Sequence, residues 1–403
     1  MRNSLEISPQ SIIEILSLRY DSNHSPKLPK LSWKDFLPSE NYSDEQIEKI
    51  IKEYLHSTLS NNKEKKISIA LSGGIDSTLT LLYLKKFLPD WEITAFSIKF
   101  ADSTDETIQA SKITEHFGVD HKVIFLKNYL EELPKAISII KQPFWDLHWY
   151  YVVKEAQTFS KILASGDGGD ELFGGYTFRY KKYLSLINSS STPIEKSTAY
   201  LQCHERDHVP DQESLFGQNI PFSWGKIHTK LSHWFDNSLP ELTQVFLADY
   251  NGKLLYNFSP INSKINNHFG ITSVTPILSP KLTHYACKIH QNKKYDFQNN
   301  IGKIPLRNLL KKHGVEHLIS NEKLGFSVNT SNLWKSIGHE LCKSYLINSN
   351  IVKSKLINKE WIQKHIDRDN LDTRYVNKFL GLLALEIWYQ LFISKEIDDS
   401  ITL

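Results

Sequence analysis

An α/β architecture, with a parallel sheet flanked by helices and a mostly helical C-terminal part, is predicted by three features of this sequence. Short apolar β-rich runs alternate with helical stretches between residues 67 and 164, a glycine pair stands directly between one such run and the next helix, and helical periodicity dominates after residue 181. The 403 residues, 40% of them apolar, exceed one ordinary domain and can fill a large core, which excludes a disordered, collagenous or low-complexity chain.

Residues 1–60 read as a short N-terminal cap or linker region. Within them, residues 11–18 fit a short helix, residues 25–38 are broken by Pro26, Pro29 and Pro38, and residues 44–60 carry Ile47, Ile50, Ile51, Tyr54 and Leu55 at helical spacing. The run NNKEKK at 61–66 is a solvated hinge. Residues 61–180 form the expected core, with strands at 67–71 (ISIAL), 93–100 (ITAFSIKF), 122–125 (KVIF) and 162–164. Helices fit at 77–87 and 105–117 between the first three strands, and at 150–160 before the fourth. Such repetition dictates right-handed crossovers and a sheet covered on both faces, whose ligands lie at the carboxyl ends of the strands. Residues 181–403 are the helical remainder; a polar loop at 185–192 lies near its start, and a buried helix at 375–392 closes it. No internal repeat is present.

Lys and Arg number 48 against 45 Asp and Glu, and the formal charge of +3 is spread without a basic arm or stripe, so no nucleic-acid partner is expected. The best apolar run, residues 379–385, is far shorter than the ~20 residues of a membrane span. The opening MRNSLEISPQ has no apolar segment of the secretory kind. Cys203, Cys287 and Cys342 are odd in number and widely spaced, which fits a reducing cytoplasm rather than a disulfide framework or a CxxC metal site.

Leu71-Ser72-Gly73-Gly74-Ile75-Asp76-Ser77 lies between an apolar strand and an apolar helix. Two glycines let the backbone curl so that several N–H groups and the helix N-terminus point into one concavity, which suits a phosphate. Asp76 beside such an anion makes sense only with a cation between them, and magnesium bridges carboxylate and phosphate oxygens. Neither GxxxxGK[ST] nor a strand-borne GxGxxG occurs, so the common nucleotide fingerprints are excluded. A second loop, Ser165-Gly166-Asp167-Gly168-Gly169-Asp170-Glu171-Leu172-Phe173-Gly174-Gly175-Tyr176, gathers three carboxylates and five glycines in twelve residues after another apolar strand. It lacks the ligand spacing of an EF-hand, and it can bring backbone close to a ligand while presenting acids to a metal or a proton. His204-Glu205-Arg206-Asp207-His208 spells HExxH, but Pro210 follows and the flanks have almost no apolar face, so a zinc helix is not expected there. His313 and His317 in KKHGVEH read as solvated.

Together the two loops resemble the asparagine synthetase family of ATP-pyrophosphatases, whose signatures are SGGxDS and SGxGxDExFGGY. The resemblance runs through Asp105, Glu106, Ala110, Gly118 and His121 to Lys303, Leu306, Arg307 and Lys323-Leu324-Gly325-Phe326, about residues 67–390, with a weaker echo at 12–20. It implies an adenine nucleotide alpha-hydrolase-like fold, with the core at 61–180 and the substrate side at 181–403. It also implies a two-step ligation in which a carboxylate attacks ATP to give an acyl-adenylate and pyrophosphate, and ammonia or an amine then displaces AMP. By position, Asp76 and Asp170 would hold magnesium and Ser72, Gly73, Gly74 and Ser77 would cradle the pyrophosphate. Leu71, Ile98, Ser165 and Gly166 would contact adenosine. Lys323 would offer a cation to developing charge, and Asp167, at the family's glutamate position, would help deprotonate the amine.

Two departures stand beside these matches. Glutamine-using members carry a nucleophilic Cys directly after the initiator Met and a glutaminase domain, whereas here Arg2 follows Met1 and about sixty residues precede the synthetase part. Nitrogen is therefore expected from free ammonia, from a separate glutaminase or biosynthetic partner, or from an amine on the substrate, as in β-lactam and lasso-peptide synthetases. Where the family commonly shows ExRxPFLD, this chain has Thr272-Ser273-Val274-Thr275-Pro276-Ile277-Leu278-Ser279, uncharged throughout, so the charges that aspartate recognition would use there are missing. Two function classes follow: a ligase with a specialised small-molecule or peptide carboxylate, or a non-catalytic nucleotide-binding relative.

Overall fold

The computed structural model describes residues 7–39, 41–101, 103–319 and 328–403. Five parallel strands, β1 (Lys66–Ala70), β2 (Glu92–Phe100), β3 (Asp120–Leu126), β4 (Ile162–Ala164) and β5 (Thr272–Val274), form one sheet in the order β3-β2-β1-β4-β5. The order in which strands are added reverses at β1, which pairs with β2 through Ile67↔Ile93 and with β4 through Ile69↔Ala164. That adjacency of β1 and β4 makes a topological switch point, where the loops leaving their carboxyl ends part and open a crevice.

Ile67, Ile69, Ala95, Phe96, Leu163 and Ala164 are buried, as a sheet covered on both faces requires. Right-handed crossovers set α3 (Ile75–Phe87) and α4 (Thr107–Phe117) on one face. On the other, α6 (His148–Ala156) packs against β1, β2 and β3. Near the N-terminus, α1 (Pro9–Leu18) begins at Ser8, whose Oγ accepts from Ser11 N–H, and α2 (Asp44–Leu59) packs on α3. The expected strands and helices are present, with ends shifted by a few residues. Absent from the expectations is β5, three residues long and buried only at Val274, too short to show a period.

Among the described residues beyond β4, the regular elements are helices apart from β5. Helix Thr373–Tyr389 buries Phe379, Leu380, Leu382, Leu383 and Ile387. With the turn that follows, Thr373–Ser394 is the one described helix long and apolar enough to cross a membrane, yet most of it is packed inside the fold. Its two buried ionisable groups act as ties. Lys378 Nζ donates to the carbonyls of Leu16 and Asp207, joining it to α1, and Glu386 accepts from the backbone N–H groups of Asn350 and Ile351, both at 3.0 Å, capping helix Asn350–Lys353. The carboxylate thereby satisfies amides that a helix start leaves open. Replacing Glu386 by Leu leaves those amides buried without an acceptor and is expected to lower the unfolding free energy by about 3 kcal/mol. Denaturant titration measures this, and a loss below about 0.5 kcal/mol would remove the cap from the account.

Candidate active site

A cavity of about 620 Å³ opens at the β1/β4 switch point. Its floor is the loop joining β1 to α3. Gly73 takes φ +76, which costs a residue with a Cβ but not glycine, and the chain turns there into α3. Inside the turn, Ser77 Oγ donates to Gly74 O at 3.2 Å and lies 3.3 Å from both Ser72 N and Ser72 Oγ. Ala70, Ser72, Gly74, Ile75, Asp76 and Ser77 all line the cavity. The loop thus presents the N-terminus of a thirteen-residue helix to the crevice, a favourable place for a phosphate.

The loop after β4 meets it from the side. A Cβ built on Gly166 would stand 2.6 Å from the Asp76 carbonyl carbon, and one on Gly169 would stand 2.2 Å from Asp76 Oδ1. These glycines are what allows the second loop to touch the first. Ser165, Gly166, Asp167, Gly168, Gly169, Asp170 and Glu171 line the cavity. Gly168 has φ +92 and rests on the Leu278 side chain, so the uncharged segment 272–279 buttresses this loop from behind and contributes no residue to the cavity wall.

Asp76 and Asp170 converge on one cation. Lys303 Nζ donates to Asp76 Oδ2 at 2.5 Å and lies 3.0 Å from Asp170 Oδ1, with its side chain only 11% exposed. Burial opposes its charge, but Asp170 and Asp76 more than offset this and hold the ammonium above the usual lysine range. A Cβ on Gly175 would collide with Asp170 Oδ1 and with Lys303 Cε, so that glycine leaves room for the pair. Sequence reasoning reached Lys303 only as part of the extent of the resemblance. It stands 227 residues from Asp76, and no local pattern marks it. Its backbone is left-handed, at φ 57, directly before helix Ile304–Lys312.

Asp167 stands apart from that ion cluster. Asn262 Nδ2 donates to its Oδ2 at 3.3 Å, and burial raises its carboxyl above the ordinary range. Glu171, buried and accepting from Tyr176 Oη at 2.5 Å, is pushed up to about 7 by burial and by Asp170. Tyr176 lies under the Arg179 guanidinium at 4.3 Å, and Arg179 pairs with buried Asp249 at 2.9 Å, which fastens the loop to the helical half.

Among the residues singled out from the sequence, the structure brings Ser72, Gly74, Asp76, Ser77, Ser165, Gly166, Asp167 and Asp170 to one cavity. Leu71 and Ile98 are buried behind it, and Gly73 faces Gln109 of α4. Lys323 and the rest of KLGF lie outside the described residues. HExxH falls beyond helix α9 (Pro193–Gln202), in a turn where His204 lies tilted against Tyr200 and His208 meets Trp224 edge to face, so its histidines do not share a helical face.

No three His, Cys, Asp or Glu among the described residues form a metal-binding group. Two carboxylates focused on one point occupied by an ammonium are nevertheless the donor set that magnesium takes when phosphate oxygens and water complete its shell. Asp76 and Asp170 fit that ion. Gly169→Ala, which forces Asp76 to turn away, is expected to weaken magnesium-dependent ATP binding by about tenfold or more, about 1.4 kcal/mol. Calorimetric titration beside Gly225→Ala, at an exposed glycine where an added Cβ meets only Ser223 Oγ at 3.5 Å, checks it, and equal affinity in both variants would sink the assignment.

The chain is 24% identical over 405 residues to asparagine synthetase [glutamine-hydrolyzing] 1 of Bacillus subtilis, covering 90% of this chain and 62% of that relative. It is 22% identical over 367 residues to a putative asparagine synthetase [glutamine-hydrolyzing] of Mycobacterium bovis, covering 82% and 55%. It thus spans about three-fifths of the length of the curated relatives it matches. Among solved structures, NMN synthetase from Francisella tularensis aligns at 16% identity over 59% of this chain and 99% of its own, with a TM-score of 0.27, too low for anything to follow from it. The family described as asparagine synthase matches residues 55–390, most of the chain and every residue that lines the cavity, and the chain belongs to that family.

Proposed function

We propose that this chain is an ATP-dependent ligase that forms an amide bond through an acyl-adenylate, acting on a specialised carboxylate substrate. One observation carries the reading: a helix-start loop and an acidic glycine loop, on adjacent strands, focus Asp76 and Asp170 on a single cation-binding point, with Asp167 lining the same cavity. Membership in the asparagine synthase family supports it.

In the first step a substrate carboxylate oxygen bonds to the α-phosphorus of ATP, and the bond from that phosphorus to the bridging oxygen of pyrophosphate breaks. Such a transfer needs positioning and charge neutralisation more than covalent help. The turn around Gly73 and the start of α3 receive the phosphates, and Lys303 places a fixed positive charge beside them. Asp76 and Asp170 would hold magnesium, which would supply further charge neutralisation to the phosphates. In the second step the nitrogen of ammonia or an amine bonds to the carbonyl carbon, AMP leaves, and the proton passes to Asp167. Burial raises that carboxyl, which makes it a better proton acceptor once ionised. Asn262, donating to Asp167 Oδ2, orients it. Lys323 would supply further cationic help to developing charge.

Asp76→Ala is expected to reduce ATP-dependent pyrophosphate release by about 100-fold or more, and the nucleotide product is AMP. Stoichiometric ADP, or undiminished release by the variant, would overturn the reading. Asp167→Asn is expected to slow amide formation by about 100-fold while leaving pyrophosphate release in place. The sign of the pH effect follows from the raised carboxyl: the base-competent ion is lost as pH falls, at a pH above the ordinary ~3.9. With free amine held constant at every pH, the parent loses amide formation along that limb. The same limb in Asp167→Asn would assign the titration to another group.

A further inference from the structure

The two ends of the cavity differ in chemistry. Near Asp76 and Asp170 it is lined by Lys303 and Arg307, and among the described residues these are its only lysine or arginine. The wall toward Asp167 and Asn262 is built from Leu147, Leu254, Phe258 and Ile261, with Asn257 between them. Each of the two amide NH₂ groups there already gives one hydrogen bond: Asn262 donates to Asp167, and Asn257 donates to the Arg19 carbonyl. Asp146 on this wall already faces a cation behind it, an Arg19 nitrogen at 2.9 Å, and His148 Nδ1 lies 3.4 Å from the same carboxylate. The α-carboxylate of a free amino acid brought against this wall would lose water without gaining a lysine or arginine partner, which is costly.

The apolar character continues outward. Phe258, 38% exposed, and Ile301, 42% exposed, both line the cavity. Phe297, 52% exposed, lies on the turn closed by the Asp296–Ile301 bridge, and Phe178, 65% exposed, directly follows the lining residues Tyr176 and Thr177. Lys181, one turn on from Phe178 in α8 (Thr177–Leu186), reaches over the Phe297 ring at 5.7 Å, which ties these two segments together. Large apolar side chains left in water and continuous with a cavity are the mark of a binding surface rather than of ordinary surface composition.

We infer that the acyl donor is an extended apolar carboxylic acid. Its single carboxylate lies at the end lined by Lys303 and Arg307, in the same cavity as Asp167, and its alkyl or aryl body runs along Leu254 and Phe258 and out over the rim formed by Ile301, Phe297 and Phe178. The identity of this group as an acyl donor rests on the adenylating reading above; the recognition of an apolar acid does not.

The test measures binding of decanoate, 3-phenylpropionate and L-aspartate to the full chain with magnesium and α,β-methylene ATP, and pyrophosphate release with ATP. Both apolar acids are expected to bind at least about tenfold more tightly than aspartate. Phe258→Asp, and Phe297→Ser at an exposed position with little packing to lose, are each expected to weaken that binding about fivefold or more, with affinity for the nucleotide analogue as an internal control. Aspartate binding as tightly as the apolar acids, no binding of either apolar acid, or unchanged binding in both variants overturns the inference. Apolar acids that bind without promoting pyrophosphate release uphold it and refute the adenylating reading. Aspartate alone binding and promoting release does the reverse.

Discussion

Two carboxylates held close to one another repel unless a positive charge lies between them, and here Lys303 supplies it from a segment far along the chain. Buried to the extent it is, the ammonium would be costly alone, and Asp76 and Asp170 would be costly without it. The cluster therefore closes the phosphate loop, the acidic loop and the start of helix Ile304–Lys312 onto one another. The glycines at 166, 169 and 175 permit it, because a side chain at any of them would occupy the space that the two aspartates and the lysine fill. On the reading proposed above, phosphates entering here would meet a positive charge that the two aspartates already hold in place.

The sheet explains why the two loops meet at all. β1 and β4 are separated by about ninety residues yet paired, because the crossover after β3 returns on the opposite face and deposits β4 on the free side of β1. At this one edge the loops diverge and leave a crevice, whereas between β2 and β1 the crossover helix closes it. The helical half then fills the space beyond. Arg179, stacked on Tyr176 and paired with Asp249, carries the position of the acidic loop into that half, and Leu278 supports Gly168 from behind.

Departures from the usual family pattern acquire a physical reading in this setting. The uncharged run at 272–279 serves as strand and buttress, and the wall facing Asp167 comes instead from residues 254–262 and 147–149. Where a charged substrate would need fixed counter-charges, this wall offers leucine, isoleucine and phenylalanine. The shorter Asp167 is held by Asn262, a residue that nothing in the linear sequence ties to it.

Much was legible in the linear order because the relevant signals are local. Strand-turn-helix with a glycine pair predicts a tight turn that leaves a helix start open, since φ near +76 at Gly73 and an open helix start are properties of a few adjacent residues. The alternation of runs likewise determined a parallel sheet, and the carboxylates at 76, 167 and 170 announced themselves by clustering. Tertiary structure alone decided what approaches those groups from a distance: Lys303 between the two aspartates, Asn262 on Asp167, the apolar wall, and β5, whose three residues pair only because β4 offers an edge. Sequence patterns record what a residue does to its neighbours in the chain. Charge pairing and wall chemistry depend on which distant segments the packing brings within a few ångströms, and no short-range period encodes that.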